Sequence, residues 1–140
     1  MKNVISNRIA DVDIYSNKCH YDEPKEYFSV VLDRILLTFH NPLSLLDIGC
    51  ANGSFLHHAK TALVGTELSG AEPVANLADV ARKSTSIKII ELGLFDLPED
   101  CQYEVITMLG VLGIFSDLEN VLTKLKSLMR PGGGVCILTI

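Results

Sequence analysis

The sequence contains no tryptophan and only four cysteines in 140 residues. The cysteines are scattered and never form a Cys-x-x-Cys pair, which disfavours a zinc site and a disulfide framework and predicts reduced thiols. No apolar run reaches the roughly 18 residues of a membrane-spanning helix, and no apolar segment typical of a signal peptide follows the first methionine. We therefore expect a cytoplasmic protein with no membrane partner and no metal.

Basic residues are also scarce. The chain has 12 lysines and arginines against 17 aspartates and glutamates, for a net charge of -5. Proteins that bind a phosphate backbone normally present a basic face, so the charge disfavours nucleic acid as a partner. The chain is 48% hydrophobic, and its length suits a single globular domain with its own core.

Residues 1–21 are polar without a clear period, and we interpret them as an N-terminal arm or lid. Residues 22–140 alternate strand and helix patterns and form one domain. The predicted strands are 43–48, 62–66, 86–92, 103–109 and 135–140. The predicted helices are 24–39, 53–60, 69–83 and 116–129, the last two opening with the capping-box pairs Ser69/Glu72 and Ser116/Glu119. This alternation predicts an α/β fold: a doubly wound, mostly parallel sheet of order 3-2-1-4-5 with helices on both faces.

A turn of small residues follows the first predicted strand. Gly49, Ala51 and Gly53 allow the backbone to approach a ligand closely. Glu67 ends the second predicted strand, about 20 residues after Asp47, where a carboxylate can accept both hydroxyls of a ribose. Because ligands of such sheets bind beyond the carboxyl ends of the strands, turn and carboxylate predict a nucleoside-cofactor site.

These residues resemble the class I S-adenosylmethionine-dependent methyltransferases over about residues 25–140. The segments that carry the resemblance are 47–53, 64–69, 95–98 with 103–107, 110–115 and 128–134. The resemblance implies S-adenosyl-L-methionine as the cofactor. It also implies transfer of a methyl group to an acceptor that the sequence does not name, for which a small molecule is favoured.

The resemblance assigns roles to particular residues. It implies that Asp47 orients the cofactor's ammonium group and that Glu67 accepts the ribose hydroxyls. It further implies that Leu68 and Phe95 cover the adenine. The implied cofactor-binding residues are Asp47, Gly49, Cys50, Ala51, Gly53, Glu67, Leu68, Leu94, Phe95, Leu109 and Gly110.

The sequence departs from the family pattern at three positions. Ala51 replaces a glycine, and Gly93 stands where many relatives carry an acid that binds the adenine amino group. Gly113 stands where many relatives have a histidine or glutamate, so no catalytic residue is implied. The short apolar segment around it, 110–115, predicts a modest, partly apolar acceptor pocket.

The end of the chain also differs from the family pattern. The family's sheet has an antiparallel strand pair after strand five, whereas this sequence stops inside that strand, which would leave an apolar edge unpaired. We expect either a piece of a longer protein or a homodimer that covers the strand-five edge.

Two other functions remain open. One is an NAD-dependent oxidoreductase, against which Ser54 stands where a dinucleotide fingerprint has its third glycine. The other is a cofactor-binding or interaction module without activity. Near the expected mouth of the site, Tyr15 and Tyr21 are candidates for folding over the cofactor, and His20 is a candidate for touching the substrate.

Overall fold

The structure, a computed structural model, describes residues 25–138, and of residue 136 only the backbone. The predicted N-terminal arm, with Tyr15, His20 and Tyr21, lies outside the described residues. Within them the chain forms one five-stranded sheet of order β3-β2-β1-β4-β5, and every neighbouring pair of strands is parallel. The strands are β1 (Ser44–Ile48), β2 (Glu67–Ala71), β3 (Lys88–Ile90), β4 (Tyr103–Leu109) and β5 (Met129–Leu138). The predicted strand order and fold class are confirmed.

Helices cover both faces of the sheet. They are α1 (Glu26–Phe39), α2 (Ser54–Ala62), α3 (Ala75–Thr85) and α4 (Leu118–Leu128), with single 3-10 turns at Leu94–Asp96 and Leu112–Ile114. Neighbouring residues of β1 point to opposite faces. Leu45 packs in the core beneath α1, α2 and α3, whereas Leu46 packs in the core beneath α4. The central strands are therefore buried on both sides, as expected for a parallel sheet.

The predicted second strand, 62–66, is wrong. Helix α2 continues to Ala62, Val64 is exposed, and Gly65 turns the chain with a φ of 88°. Strand β2 follows at Glu67–Ala71 and pairs with β1 so that Glu67 lies opposite Ser44. Its residues look too polar for a buried strand, and only the pairing with β1 identifies it.

The capping and stop signals were also misplaced. Ser69 lies inside β2, so the predicted Ser69/Glu72 capping box does not form, and α3 begins only at Ala75. At the start of α4 the cap is Asp117 rather than Ser116, since its carboxylate accepts the backbone N–H of Asn120 at 3.0 Å. The Pro131–Gly134 segment, predicted as a turn, belongs to β5, which is irregular against β4 there.

Candidate functional site

A cleft opens at the carboxyl ends of β1, β2 and β4, with a cavity volume of about 230 Å³. The cleft is lined by the last residue of each of these strands: Ile48, Ala71 and Leu109. The start of α1 and both 3-10 turns form its walls. This is the position at which doubly wound sheets bind ligands, because neighbouring loops diverge there and leave a crevice.

The turn after β1 lies at the floor of the cleft and is tied to the end of β2. Gly49 adopts a φ of 71°, and its N–H donates to the carbonyl of Ala71 at 2.8 Å. A Cβ at Gly49 would lie 2.6 Å from Cγ2 of Val111, so no side chain fits at this position. Ala51 also has a positive φ, and it lines the cleft beside Cys50.

Gly53 has a different role from the other small residues of the turn. It precedes α2 with a φ of 83°, and a Cβ there would lie 2.9 Å from Cγ2 of Thr85 and 3.1 Å from Cβ of Ala81. The missing side chain therefore lets α2 and α3 pack closely. Gly53 does not line the cleft, although the resemblance implied a contact with the cofactor.

Glu72 is the acid at the end of β2. It is 6% exposed, and its two carboxylate oxygens each accept a backbone N–H at 3.0 Å, one from Ala51 and one from Val74. These bonds hold the carboxylate in one orientation against the small-residue turn. Sequence reasoning missed it because Glu72 was placed in a helix cap. The signal that marks it is Pro73, which has no N–H to continue a strand ladder.

Glu67, predicted as the ribose-binding acid, lies at the opposite end of the sheet. It is exposed at the first position of β2, and five steps along the extended chain place it about 16 Å from Glu72. Leu68 is half-buried and packs against the core cluster that includes Leu45. Neither Glu67 nor Leu68 lines the cleft, so both placements are wrong. The cause is the error in the bounds of β2.

Asp47 lies at the floor of the cleft and is 3% exposed. Burial raises the pKa of its carboxyl to about 7; the hydrogen bond from Thr107 opposes this shift, and the nearby negative charge of Glu72 adds to it. The hydroxyl of Thr107 donates to Oδ1 of Asp47 at 2.7 Å. The carboxyl is therefore poised between its neutral and charged forms near neutral pH.

Cys50 lines the cleft as a buried thiol. Burial, together with the negative charges of Asp47 and Glu72, raises its pKa well above the usual range. A thiol that stays neutral is a poor nucleophile. Its sulfur would lie 2.7 Å from a Cβ at Gly70, so the side chain fills the space above β2, consistent with a packing role.

One wall of the cleft is apolar. Leu94 is buried, Phe95 is 38% exposed, and both line the cleft together with Leu109 and Gly110. The ring of Phe95 meets the ring of Phe115 edge to face, with centroids 5.7 Å apart. The positions predicted from the segments after β3 and β4 therefore converge on one cleft.

The segment predicted to shape an acceptor pocket contributes three apolar side chains to the cleft: Val111, Ile114 and Phe115. Gly113 does not line the cleft, and a Cβ there would have no neighbour within 4 Å. Among residues 25–138 no group of three His, Cys, Asp or Glu side chains is placed to hold a metal. In the same range no helix has the length and apolar character to cross a membrane.

Comparisons with known proteins agree with this geometry. The family described as methyltransferase domain matches residues 20–140. No curated protein matches the sequence significantly. Several solved structures share the fold.

Three solved structures illustrate the likeness. The plantazolicin methyltransferase BpumL, in complex with a pentazolic desmethylPZN analog and SAH, superposes with a TM-score of 0.76 at 20% identity over 96% of this chain and 53% of its own. SAM-bound CalS10, an amino pentose methyltransferase from Micromonospora echinaspora, gives a TM-score of 0.76 at 16% identity, over 91% of this chain and 56% of its own. The sugar N-methyltransferase KedS8 from Streptoalloteichus sp. superposes with a TM-score of 0.70 at 19% identity. The match covers 81% of this chain and 47% of KedS8.

The chain spans about half the length of these solved structures. At these identities they show the fold, whereas the family match rests on the sequence of most of the chain. Together with the cleft and its small-residue turn, that match shows that the chain belongs to the methyltransferase-domain family, with the class I fold.

Proposed function

We propose that the protein binds S-adenosyl-L-methionine and transfers its methyl group to a small-molecule acceptor. The observation that carries this proposal is the pair of buried carboxylates, Asp47 and Glu72, on either side of the small-residue turn in one cleft. A zwitterionic nucleoside presents two features that suit them, an ammonium group and a ribose diol. Solved neighbours that hold SAM or SAH support the same cofactor.

The residues of the cleft fit this cofactor. The missing side chain at Gly49 lets Val111 pack directly against the turn, where a Cβ would clash with it. Glu72, oriented by two backbone N–H groups, faces the cleft where a ribose would pass the end of β2. The apolar wall of Leu94 and Phe95 suits the flat face of an adenine.

The chain's own contribution to the reaction is positioning. When bound, the cofactor supplies a methyl group on a positively charged sulfur, which is already activated toward displacement. Asp47 would orient its ammonium group and Glu72 its ribose, while the backbone at Leu109 and Gly110 would flank the reacting end. Correct alignment of two reactants can lower a barrier by up to roughly 7–11 kcal/mol. A general base is required only for acceptors that must lose a proton.

The acceptor side of the cleft supports a small, partly apolar molecule. Val111, Ile114 and Phe115 line it, and CalS10 and KedS8 are named as enzymes that methylate sugars. A cytoplasmic location without a nucleic-acid partner, and a homodimer through the edge of β5, stay predictions from the sequence.

Calorimetric titration of the protein with SAM, SAH and NAD tests the proposal, with Glu72→Gln and Glu67→Gln as a matched pair. Each substitution removes one carboxylate charge from β2 or its end while keeping the shape of the side chain. We expect both adenosyl compounds to bind. Glu72→Gln should weaken SAH by roughly 10- to 100-fold, because charge-assisted hydrogen bonds are worth about 1.5–3 kcal/mol each. Glu67→Gln should leave the affinity unchanged.

The same titration separates the alternatives. Binding of NAD in preference to SAH would contradict the proposal and favour the oxidoreductase, which also uses an acid at the end of its second strand. Equal effects of the two substitutions would contradict the assignment of Glu72. Tight binding of SAM without turnover of any amine or sugar acceptor would favour a module that binds the cofactor but does not catalyse.

A further inference from the structure

Asp47 and Thr107 form a polar pair inside the sheet. They are aligned in the parallel register of β1 and β4, 3% and 0% exposed, and the Thr107 hydroxyl donates to Oδ1 of Asp47 at 2.7 Å. A hydroxyl buried this deeply needs a partner, and the carboxyl provides it. The hydrogen bond from Thr107 holds the carboxyl of Asp47 in place, and Asp47 lines the cleft.

The surroundings of Asp47 within residues 25–138 carry mostly negative or neutral groups. Glu72 faces it from the end of β2 and Cys50 from the turn, while Asp96 lines the cleft from the 3-10 turn after β3. From α1 the cleft is lined by the phenol of Tyr27 and, at its mouth, by Lys25. None of the three ion pairs found among the described residues includes Asp47.

We propose that Asp47 is a proton-linked binding group and that Thr107 is its positioning residue. The Thr107 hydroxyl holds the carboxyl at the cleft, and the carboxyl releases its proton when a cationic group of the ligand binds beside it. The inference rests on the proposed function, which supplies that cation as the ammonium of the cofactor's methionine part.

The step is a simple proton transfer to solvent. The O–H bond of the neutral Asp47 carboxyl breaks, the proton passes to the buffer, and the resulting carboxylate pairs with the ammonium N–H groups. Because burial raises the pKa of Asp47 to about 7, a measurable fraction of the free protein carries this proton near pH 7. A cation beside the carboxylate favours the charged form, so binding shifts the equilibrium toward release.

The linkage gives the affinity a defined pH dependence. Above the pKa of the free protein the carboxylate is already charged, so the affinity reaches a plateau. Below it each binding event must expel a proton, and the affinity falls by up to about tenfold per pH unit. The hydrogen bond from Thr107 lowers the pKa of Asp47, so its loss should shift this fall to higher pH.

Calorimetric titration with SAH in two buffers of different ionisation enthalpy counts the protons that binding releases. For the natural protein we expect release of a fraction of a proton near pH 7 that falls toward zero as the pH rises above the pKa of Asp47. Thr107→Val keeps the shape of the side chain but removes the donor. It should release more protons near pH 7 and move the fall in affinity to higher pH, and Thr107→Ser should restore both.

Two variants serve as controls. Thr66→Val removes a hydroxyl that also donates at 2.7 Å, to the carbonyl of Pro42 at the amino end of the sheet, and it should change neither the affinity nor the proton count. Asp47→Asn should abolish the release. Release that persists in Asp47→Asn would overturn the proposal, because it would assign the proton to Glu72, to Cys50 or to the ligand.

The remaining outcomes are also decisive. SAH binding with no difference between buffers at pH 7 would overturn this inference and leave the proposed function intact. Failure of the folded protein to bind SAH would overturn the proposed function and this inference with it. A Thr107→Val variant that loses the same factor in affinity at every pH would show that Thr107 is only structural.

Discussion

Two glutamates bracket β2, and they have opposite environments. Glu67 begins the strand, is exposed and lies opposite the first residue of β1, whereas Glu72 follows the strand, is buried and lines the cleft. Only five positions separate them. The function of an acid in a parallel sheet therefore depends on which end of its strand it occupies, because the carboxyl ends of all strands meet at one edge of the sheet.

The largest expected difference between the two ends concerns their glycines. Gly49 and Gly65 both have positive φ, but a Cβ at Gly49 would lie 2.6 Å from Val111, while one at Gly65 has no neighbour within 4 Å. Gly49→Ala should therefore lower the free energy of unfolding by on the order of 3 kcal/mol and abolish SAH binding. Gly65→Ala should cost about 1 kcal/mol and leave binding intact.

Urea denaturation and calorimetry of the two variants check this difference. Equal losses of stability would show that backbone strain alone matters and that Val111 can move away from a Cβ at Gly49 without cost. SAH binding by a folded Gly49→Ala variant would contradict the assignment of the turn to the floor of the cofactor site.

The next effect concerns Asp47, at the carboxyl end of the sheet, and the stability of the ligand-free protein. The pKa of Asp47 is raised from 3.8 in the unfolded chain to about 7 in the folded protein, so the folded protein binds more protons between these values. Stability is therefore lost as pH rises from about 4 to about 7. Asp47→Asn removes the titrating group and should recover about half of this loss, stabilising the free protein at pH 8 by on the order of 2 kcal/mol.

Thermal or urea unfolding at pH 4 and pH 8 measures this change. The gain should appear only at the higher pH, and Glu67→Gln at the exposed end serves as the control. A gain of the same size at both pH values would contradict the raised pKa as the cause.

A smaller effect is expected from restoring an acid that the sequence lacks. Gly93 lines the cleft with an ordinary φ of -79°, and a Cβ there would meet only Cβ of Pro73, at 4.0 Å. Gly93→Asp should tighten SAH binding by about 3- to 10-fold through a hydrogen bond to the adenine amino group. Gly113→Asp, in open space outside the cleft, should have no effect. Calorimetry on both variants makes the comparison, and weaker binding by Gly93→Asp would contradict the placement of the adenine.

The smallest effect concerns the aromatic pair. Phe115→Ala removes the edge-to-face contact with Phe95, a kind of pair that contributes roughly 0.5–1.5 kcal/mol. Because only part of this energy is passed on to a ligand that contacts Phe95, the variant should weaken SAH by about 2- to 4-fold. Leu122→Ala removes an exposed apolar side chain of α4 and is the control. An unchanged affinity in Phe115→Ala would show that Phe95 holds its position without this contact.

Much of the fold followed from local patterns. Strand β4 was predicted with the bounds that the structure has, Tyr103–Leu109, because a continuous apolar run between two turns is typical of a buried parallel strand. The small-residue turn at Gly49 was likewise found from spacing alone. The acid at the end of the second strand was not found. The apolar run 62–66 has the composition of a strand, whereas the real strand contains Ser69 and Gly70 and is less apolar.

By itself, the sequence determined the order of the elements, the glycine turn and the family, since each depends on residues close together in the chain. Only the tertiary structure decided the register of β2 and, with it, which glutamate reaches the cleft. The physical reason lies in β2's contacts. Gly70 fits there because a Cβ would lie within 2.8 Å of Cys50, Ile89 and Leu56, which come from three other segments of the chain. No local pattern contains those distances.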